Sequence, residues 1–195
     1  MRKTQARKVI LASASAWRKE LLKRAGVRFT VEVSGHKEDL TQKLSPHALV
    51  RKLALEKANV VAKRRPDALV IAADTVAVFR KKVIGKPRTI KEARRILGAF
   101  SEKRHSLLTG FAIVDSKTDR SVVKSVETFV WFRKLSKKEI DSYVRTREPL
   151  TVAGGYAIQG GGASFANRIE GDFYNVVGLP LAAVVAELKK FGVGM

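Results

Sequence analysis

The stretch Leu69-Val70-Ile71-Ala72-Ala73-Asp74-Thr75 decides the predicted fold of this 195-residue chain. Its run of apolar residues is typical of a buried strand in a parallel or mixed sheet. Such a strand delivers its last residue to the carboxyl edge of the sheet, where α/β proteins bind ligands, so we expect Asp74 at that edge. Further along, Gly85-Lys86-Pro87 is a small-residue turn that we expect to fix Lys86 near the same edge. A carboxylate beside fixed cations suits a metal-bound polyphosphate.

The composition favours a globular protein in a reducing compartment. With 45% hydrophobic residues the chain can build a core, and its length predicts one compact domain over residues 1–195. The absence of cysteine excludes a disulfide framework and a thiolate zinc site and favours the cytoplasm. The basic opening, residues 1–8, superficially resembles a secretory signal, but the apolar core Val9-Ile10-Leu11 is too short for one. We predict no membrane-spanning segment and no membrane partner.

The charge leaves two interpretations open. The chain has 39 Lys and Arg against 18 Asp and Glu, a formal net charge of +21, and clustered cations favour nucleic-acid binding. The basic residues occur in almost every segment without a long basic tail, which is typical of a solvated surface in a heat- or salt-adapted protein. Either surface can concentrate anionic nucleotides.

Periodicity and turn residues predict alternating strands and helices. Besides the stretch that ends at Asp74, the predicted strands cover residues 9–12, 29–33, 76–79, 83–84, 107–114 and 122–132. The predicted helices cover residues 17–25, 46–63, 89–100, 136–146 and 180–191, two of them opened by the capping-box patterns Thr89–Glu92 and Ser136–Glu139. Mixed strand directions with interleaved helices predict an α/β fold, with an elongated mixed β-sheet flanked by helices.

The loop between the first strand and the first helix contains candidate anion ligands. Ser13 and Ser15 lie there, where amide groups and the positive helix end form an anion cradle, and Arg18 is one turn into the helix. The alternative is that the serines are ordinary N-caps and that Arg18 is solvated.

Other charged residues and a glycine run are equally ambiguous from sequence. Lys57 occupies an apolar position of the helix 46–63, so it is either a functional cation or a lysine that snorkels to water. Glu38 and Asp39, in the preceding loop, are either site carboxylates or surface carboxylates. Gly160-Gly161-Gly162 lacks the lysine and helix of a P-loop and is a poor phosphate motif.

Several ordered blocks together resemble one family. They are 10–15 with Arg18 and 20–22, Glu56-Lys57-Ala58, Ala73-Asp74-Thr75, Gly85-Lys86-Pro87, Thr109, Glu148-Pro149, 153–160, 169–172 and 175–181. This order over essentially the whole chain resembles the Maf family of nucleotide pyrophosphatases, once described as septum formation proteins. The resemblance implies a fold similar to that of inosine triphosphate pyrophosphatases.

The resemblance also implies an activity and a set of site residues. The expected reaction is hydrolysis of a nucleoside triphosphate between its α and β phosphates with a divalent metal, Mg²⁺ or Mn²⁺. The implied substrate-binding residues are Ser13, Ser15, Arg18, Glu38, Lys57 and Lys86. Asp74 is implied as the base that accepts a proton from water, as a metal ligand together with Glu38, or as both.

Substrate preference follows the same resemblance with one departure. Thr75 and Gln159 resemble the branch acting on dTTP and UTP. Where the family has proline and arginine, this chain has Ala16 and Trp17. An indole cannot give the bidentate hydrogen bonds of a guanidinium, although it can stack on a base or sugar, or simply pack on its neighbours.

The leading hypothesis is a cytoplasmic pyrophosphatase for dTTP, UTP and modified pyrimidine triphosphates, which keeps noncanonical nucleotides out of nucleic acids. One alternative is the same chemistry with another base preference because of Trp17. The other is a basic nucleic-acid-binding protein on this fold. The resemblance also implies a homodimer, although no residue pattern identifies its interface.

Overall fold

The computed structural model describes residues 7–194, so the part of the basic opening in residues 1–6 lies outside it. Within that range the strands are β1 (Lys8–Leu11), β2 (Thr30–Val31), β3 (Ala68–Phe79), β4 (Lys82–Ile84), β5 (Arg104–Asp115), β6 (Ser121–Phe132) and β7 (Ala166–Glu170). The α-helices are α1 (Ala16–Arg24), α2 (Pro46–Ala62), α3 (Ile90–Phe100), α4 (Lys137–Arg145), α5 (Phe173–Val177) and α6 (Leu181–Lys190). The strand order is β2-β1-β3-β5-β6-β7, with β4 paired to β3, which confirms the predicted mixed α/β fold.

The chain contacts divide the protein into two compact units. The first comprises the described residues of Met1–Asp74, Gly110–Ser125 and Gly178–Met195, and the second comprises Thr75–Thr109 and Val126–Val177. The single domain expected from chain length therefore stays a prediction. Across residues 7–194, no helix is long and apolar enough to cross a membrane.

In the first unit, β1 pairs in parallel with both β2 and β3, and in the latter pair Leu11 lies opposite Ile71. Ala-rich and Val-rich faces of β1, β3 and α2 form its core, in which Val61, Ala68 and Val70 are fully buried. β2 is shorter than the predicted 29–33 because its valine side chain is exposed and gains nothing from a core. The small side chains in this core let β1, β3 and α2 pack closely against one another.

In the second unit, β3 continues to Phe79 and turns through Arg80 and Lys81, both with positive φ, into antiparallel β4. This confirms the predicted hairpin. α3 and α4 contribute apolar faces to a core that includes Leu97 and Val144. Ser136 and Glu139 form the predicted capping box of α4.

Two parts of the second unit depart from the predictions. At α3, Thr89 caps the helix, but the Glu92 carboxylate accepts from the N–H of Arg88, so the predicted reciprocal box is incomplete. The glycine-rich region, for which no strand was predicted, contains short 3₁₀ turns and β7, which pairs antiparallel with β6.

Candidate active site

Asp74 lies on β3 just beyond the parallel pairing of that strand with β1. The last paired residue is Ile71, whose carbonyl also accepts from the N–H of Ala12 at 2.7 Å. The prediction that the strand ends at Asp74 is wrong, because β3 continues through the buried Val76 and pairs with β4. Asp74 nevertheless lies past the carboxyl end of β1, where α/β sheets bind ligands.

Lys57 is the cation that contacts Asp74. It lies on the buried face of α2, and its ammonium donates to Oδ1 of Asp74 and, at 2.5 Å, to Oε1 of Glu38. The side chains of Lys57 and Asp74 are only 9% and 4% exposed, whereas that of Glu38 is 41% exposed. The alternative that Lys57 snorkels to water is therefore wrong, since its charge is held between two carboxylates.

The second oxygen of Asp74 has a different environment. Within residues 7–194, Oδ2 is buried and has no hydrogen-bond partner. Burial raises the pKa of Asp74, and the negative charge of Glu38 also raises it, while the charges of Lys57 and Arg18 oppose this shift. A carboxylate with a raised pKa and one uncommitted oxygen can accept a proton or coordinate a cation.

The loop before α1 holds Arg18 in a defined orientation. Arg18 Nε donates to the carbonyl of Gly178 at 2.8 Å, and Nη1 donates to Oγ of Ser13 at 3.3 Å. The N–H of Ser15 also donates to Ser13 Oγ, at 3.2 Å. Ser15 is the N-cap of α1, so the capping interpretation is correct for this residue, and a cap at a helix start still leaves an anion-binding helix end.

Arg18 interacts electrostatically with the two carboxylates, Asp74 and Glu38. Burial lowers the pKa of Arg18, and the charges of Asp74 and Glu38 raise it. The first unit thus collects a serine cradle, an arginine, a lysine and two carboxylates.

Two further candidates of the first unit have surface positions. Asp39 accepts from the N–H and the hydroxyl of Thr41, at 2.9 and 2.6 Å, so it structures its own loop. Trp17, the second residue of α1, is 39% exposed, so it does not pack in the core.

The remaining candidates lie in the second unit. Lys86 is exposed and follows β4 in a loop whose Gly85 carbonyl accepts from the N–H of Gly154 at 3.0 Å. Gln159 is half-buried in the glycine-rich region. Thr75 bonds through its hydroxyl to Thr109, with 2.9 Å between the oxygens.

The sequence did not predict the buried polar network around Thr109. The Thr109 hydroxyl donates to the carbonyl of Asn175 at 3.1 Å. The Asn175 amide donates to the Leu107 carbonyl and to the Thr128 hydroxyl, both at 3.0 Å. Thr109 and Asn175 both lie in the blocks that carried the family resemblance, and that was the only available signal.

The glycine run 160–162 accommodates a carboxylate. The N–H of Gly161 donates to Oε2 of Glu148 at 3.0 Å, and a Cβ added at Gly160 would lie 2.3 Å from Oε1 of Glu148. Gly160 and Gly161 therefore make room for Glu148, and the run lacks the lysine and helix of a phosphate loop.

Sequence comparison agrees with this geometry. A model of the family described as Maf-like protein matches residues 8–191. The chain belongs to the Maf family. The family resemblance inferred from ordered blocks is thereby confirmed.

Known Maf-like relatives extend over nearly the full length of the chain. Proteins named dTTP/UTP pyrophosphatase from Bacillus cereus (strain AH820) and Bacillus anthracis are each 44% identical over 187 residues, covering 96% of this chain and 97% of the relative. A solved structure of a nucleoside-triphosphatase / dITP/XTP pyrophosphatase from Mycobacterium abscessus is 12% identical, with a TM-score of 0.43, covering 66% of this chain and 75% of that one.

The protein supplies some of the ligands that a hard divalent cation needs, and phosphate oxygens and water can supply the rest. Among the described residues no group of three or more His, Cys, Asp or Glu side chains is placed to hold a metal. Asp74 Oδ2 is buried without a hydrogen-bond partner in that range, and the Glu38 carboxylate shares the Lys57 ammonium with Asp74. One or two carboxylates completed by phosphate oxygens and water are the usual Mg²⁺ ligands at phosphoryl-transfer sites, so these residues fit.

Proposed function

We propose that this protein is a nucleoside triphosphate pyrophosphatase that hydrolyses dTTP, UTP and modified pyrimidine triphosphates to the monophosphate and pyrophosphate. The names of relatives 44% identical to it support the substrate class. On the chain itself, the observation that carries the proposal is the buried Lys57 ammonium between Asp74 and Glu38. A buried cation and carboxylates beside a helix start suit hydrolysis of a polyphosphate.

Asp74 would act on the attacking water. Its Oδ2 would take one proton as the water oxygen bonds to the α-phosphorus, while the bond from that phosphorus to the α–β bridging oxygen breaks and this oxygen departs with the pyrophosphate. Lys57 holds Oδ1, so the carboxylate can present Oδ2 in one orientation. The raised pKa of Asp74, which burial causes, makes it a stronger base than an exposed aspartate.

The phosphates would bind to the cradle before α1. Ser13, Ser15 and Arg18 offer hydroxyl, amide and guanidinium donors there, and the Gly178 carbonyl fixes the plane of the guanidinium. Lys57 and Lys86 would neutralise charge on the transferred and leaving phosphates. For Lys86 this role rests on the family resemblance. Fixed donors lower the reorganisation needed as charge develops.

Asp74 and Glu38 would hold Mg²⁺ or Mn²⁺. When bound, the metal neutralises phosphate charge and polarises a phosphoryl oxygen. A test separate from turnover is Mn²⁺ titration followed by electron paramagnetic resonance. We expect weaker binding by Glu38→Gln and Asp74→Asn than by the wild type, and equal affinities would remove both residues from the metal site.

Thr75, Gln159 and Trp17 would select the base. The first two resemble the dTTP/UTP branch of the family, and the partly exposed Trp17 has a free ring surface that can stack on a base or sugar. Competition of UTP, dTTP, CTP and GTP at equal concentration tests the preference. Faster consumption of GTP would assign the protein a purine substrate while retaining the chemistry.

The experiment that tests the proposed bond cleavage is product analysis by ion-exchange chromatography with magnesium or manganese present. Monophosphate and pyrophosphate from UTP would support it, and inorganic phosphate alone would contradict it. A homodimer and a cytoplasmic location stay predictions from the sequence.

A further inference from the structure

The second unit has a sheet face on which aromatic and arginine side chains alternate across strands. On β6, Thr128, Val130 and Phe132 are buried, whereas Phe129 and Trp131 point to the opposite, partly exposed side. β5 adds Arg104 and β7 adds Arg168, both exposed. We call Arg104, Phe129, Trp131 and Arg168 the aromatic–arginine face.

The two arginines of this face lie over its two aromatic rings, which are tilted by 57° to each other. The Arg104 guanidinium carbon lies 4.8 Å from the Phe129 ring centre and 5.9 Å from that of Trp131. Arg168, paired with Trp131 in the strand register, lies 4.6 Å from the Trp131 ring centre. The result is a row of cation–π contacts along the partly exposed side of the sheet.

A cavity adjoins this face at β7, the last strand in the sheet order. Its volume is about 270 Å³, and Arg168 and Asn167 line it together with Phe173, which is 42% exposed. The rest of its lining is apolar: Ile158, Ala163, Ala166 and Ile169. Pockets for drug-sized ligands are roughly 300–1,000 Å³, so this smaller cavity has room for part of such a ligand, such as a single base.

We propose that the aromatic–arginine face binds single-stranded nucleic acid, with one base in the adjoining cavity. Partly exposed aromatic rings on a sheet, such as Phe129 and Trp131, can accept bases of any sequence, and arginine both stacks on bases and contacts phosphate. The formal net charge of +21 favours a polyanion and disfavours a second copy of the chain, which carries the same charge. This site is separate in residues from the proposed pyrophosphatase site and does not depend on that activity.

Two carboxylates also lie beside this row. Glu170 accepts from Arg168 at 2.8 Å, and Glu127 accepts from the Ser106 hydroxyl at 2.6 Å. Phosphates of a bound strand would compete with Glu170 for Arg168. Removal of the Glu170 charge therefore strengthens binding, a sign opposite to that expected for loss of Arg168.

The test is fluorescence anisotropy of a labelled oligothymidine of about 20 nucleotides, longer than the roughly 4–16 that one OB fold covers. We expect Trp131→Ala and Arg104→Gln/Arg168→Gln each to weaken binding about fivefold or more, since roughly fivefold is the lower end of what one base–aromatic stack contributes. Glu170→Gln should bind severalfold tighter. The matched control is Lys63→Gln/Arg64→Gln, which removes equal charge from exposed residues of the first unit and should have a small effect.

Further measurements check that the variant folds and that the oligonucleotide binds away from the nucleotide site. The Arg104→Gln/Arg168→Gln variant should keep the wild-type UTP hydrolysis and melting temperature. At constant ionic strength, saturating UTP should leave oligothymidine binding unchanged. In Trp17→Phe, where Trp131 is the remaining tryptophan of the sequence, binding should quench the fluorescence.

Three results would overturn the proposal. They are an absence of binding at low salt, an equal loss in the Lys63→Gln/Arg64→Gln control, and displacement of the oligonucleotide by UTP. The second would show general electrostatic attraction, and the third would locate the strand at the nucleotide site.

Discussion

The ammonium of Lys57 donates to Oδ1 of Asp74, whereas Oδ2 of the same carboxylate has no hydrogen-bond partner within residues 7–194. One oxygen is thus oriented by a buried cation while the other remains for chemistry. Loss of either partner should lower the stability of the fold, because each charge is buried and depends on the other.

Lys57→Met should destabilise the protein by about 3–5 kcal/mol, since it leaves the Asp74 carboxylate buried without its cation. Lys57→Met/Asp74→Asn should recover part of this loss, because it removes the orphaned charge. The matched control is Lys52→Met on the same helix, whose side chain is 49% exposed and 3.9 Å from Glu56, with an expected change within about 0.5 kcal/mol. Urea unfolding measures all three, and equal midpoints for the two single variants would contradict a structural pair.

Arg18→Lys should raise the KM for UTP about tenfold, because lysine cannot combine the Nε bond to Gly178 with a second, forked contact to phosphate. The kcat should change less than KM. Arg24→Lys, at an exposed residue paired with Glu20, is the control and should leave both constants unchanged. An unaltered KM in Arg18→Lys would exclude Arg18 from substrate binding.

Acid stability should depend on His105. Burial lowers the pKa of His105 from 6.5 to about 3, so the unfolded chain binds this proton at higher pH than the folded protein. The stability that neutral His105 supports is complete above pH 6.5 and is lost as the pH falls from 6.5 toward 3. His105→Phe keeps a ring against Phe100 and should flatten the dependence of unfolding free energy on pH in that interval.

Asp115 is a second acid-sensitive group, and its contribution to stability is lost over a lower pH range than that of His105. Burial alone would raise the pKa of Asp115, but hydrogen bonds from Arg7, Thr118 and Lys117 lower it from 3.8 to about 2. Its contribution is present above pH 3.8 and lost as the pH falls toward 2. If His105→Phe kept the wild-type slope between pH 6.5 and 4, the buried histidine would not be the cause.

Two glycines should respond oppositely to alanine. A Cβ at Gly110 would lie 2.3 Å from the backbone carbon and oxygen of Val50, so Gly110→Ala should be strongly destabilising, since backbone must move. Gly98 is in α3 with no atom within 4 Å of an added Cβ, so Gly98→Ala should stabilise the protein by about 0.5–1 kcal/mol. Thermal unfolding checks both, and similar melting temperatures would contradict the close approach of α2 to β5.

Local sequence patterns predicted most helices and strands, because caps and hydrophobic periodicity act over a few residues. Pro46 begins α2 and the box from Ser136 to Glu139 begins α4, as expected. The end of β3 was misplaced because a single carboxylate interrupts the apolar run, while tertiary pairing with β4 continues the strand.

The site was only partly predictable for a similar reason. Lys57 was identified as anomalous by its position on an apolar face, but whether it reached water or a carboxylate depends on Glu38, which is distant in sequence. The network of Thr109 and Asn175 had no local signal of its role, since its bonds join residues far apart in the chain.

The most direct test of the central claim compares the products of the wild type, Asp74→Asn and Asp39→Asn after incubation with UTP or dTTP and magnesium. Asp39 is the matched control because it is an exposed aspartate that structures its own loop. We predict monophosphate and pyrophosphate from the wild type and from Asp39→Asn, and neither from a folded Asp74→Asn. Unchanged turnover by folded Asp74→Asn would contradict the role of Asp74 in hydrolysis.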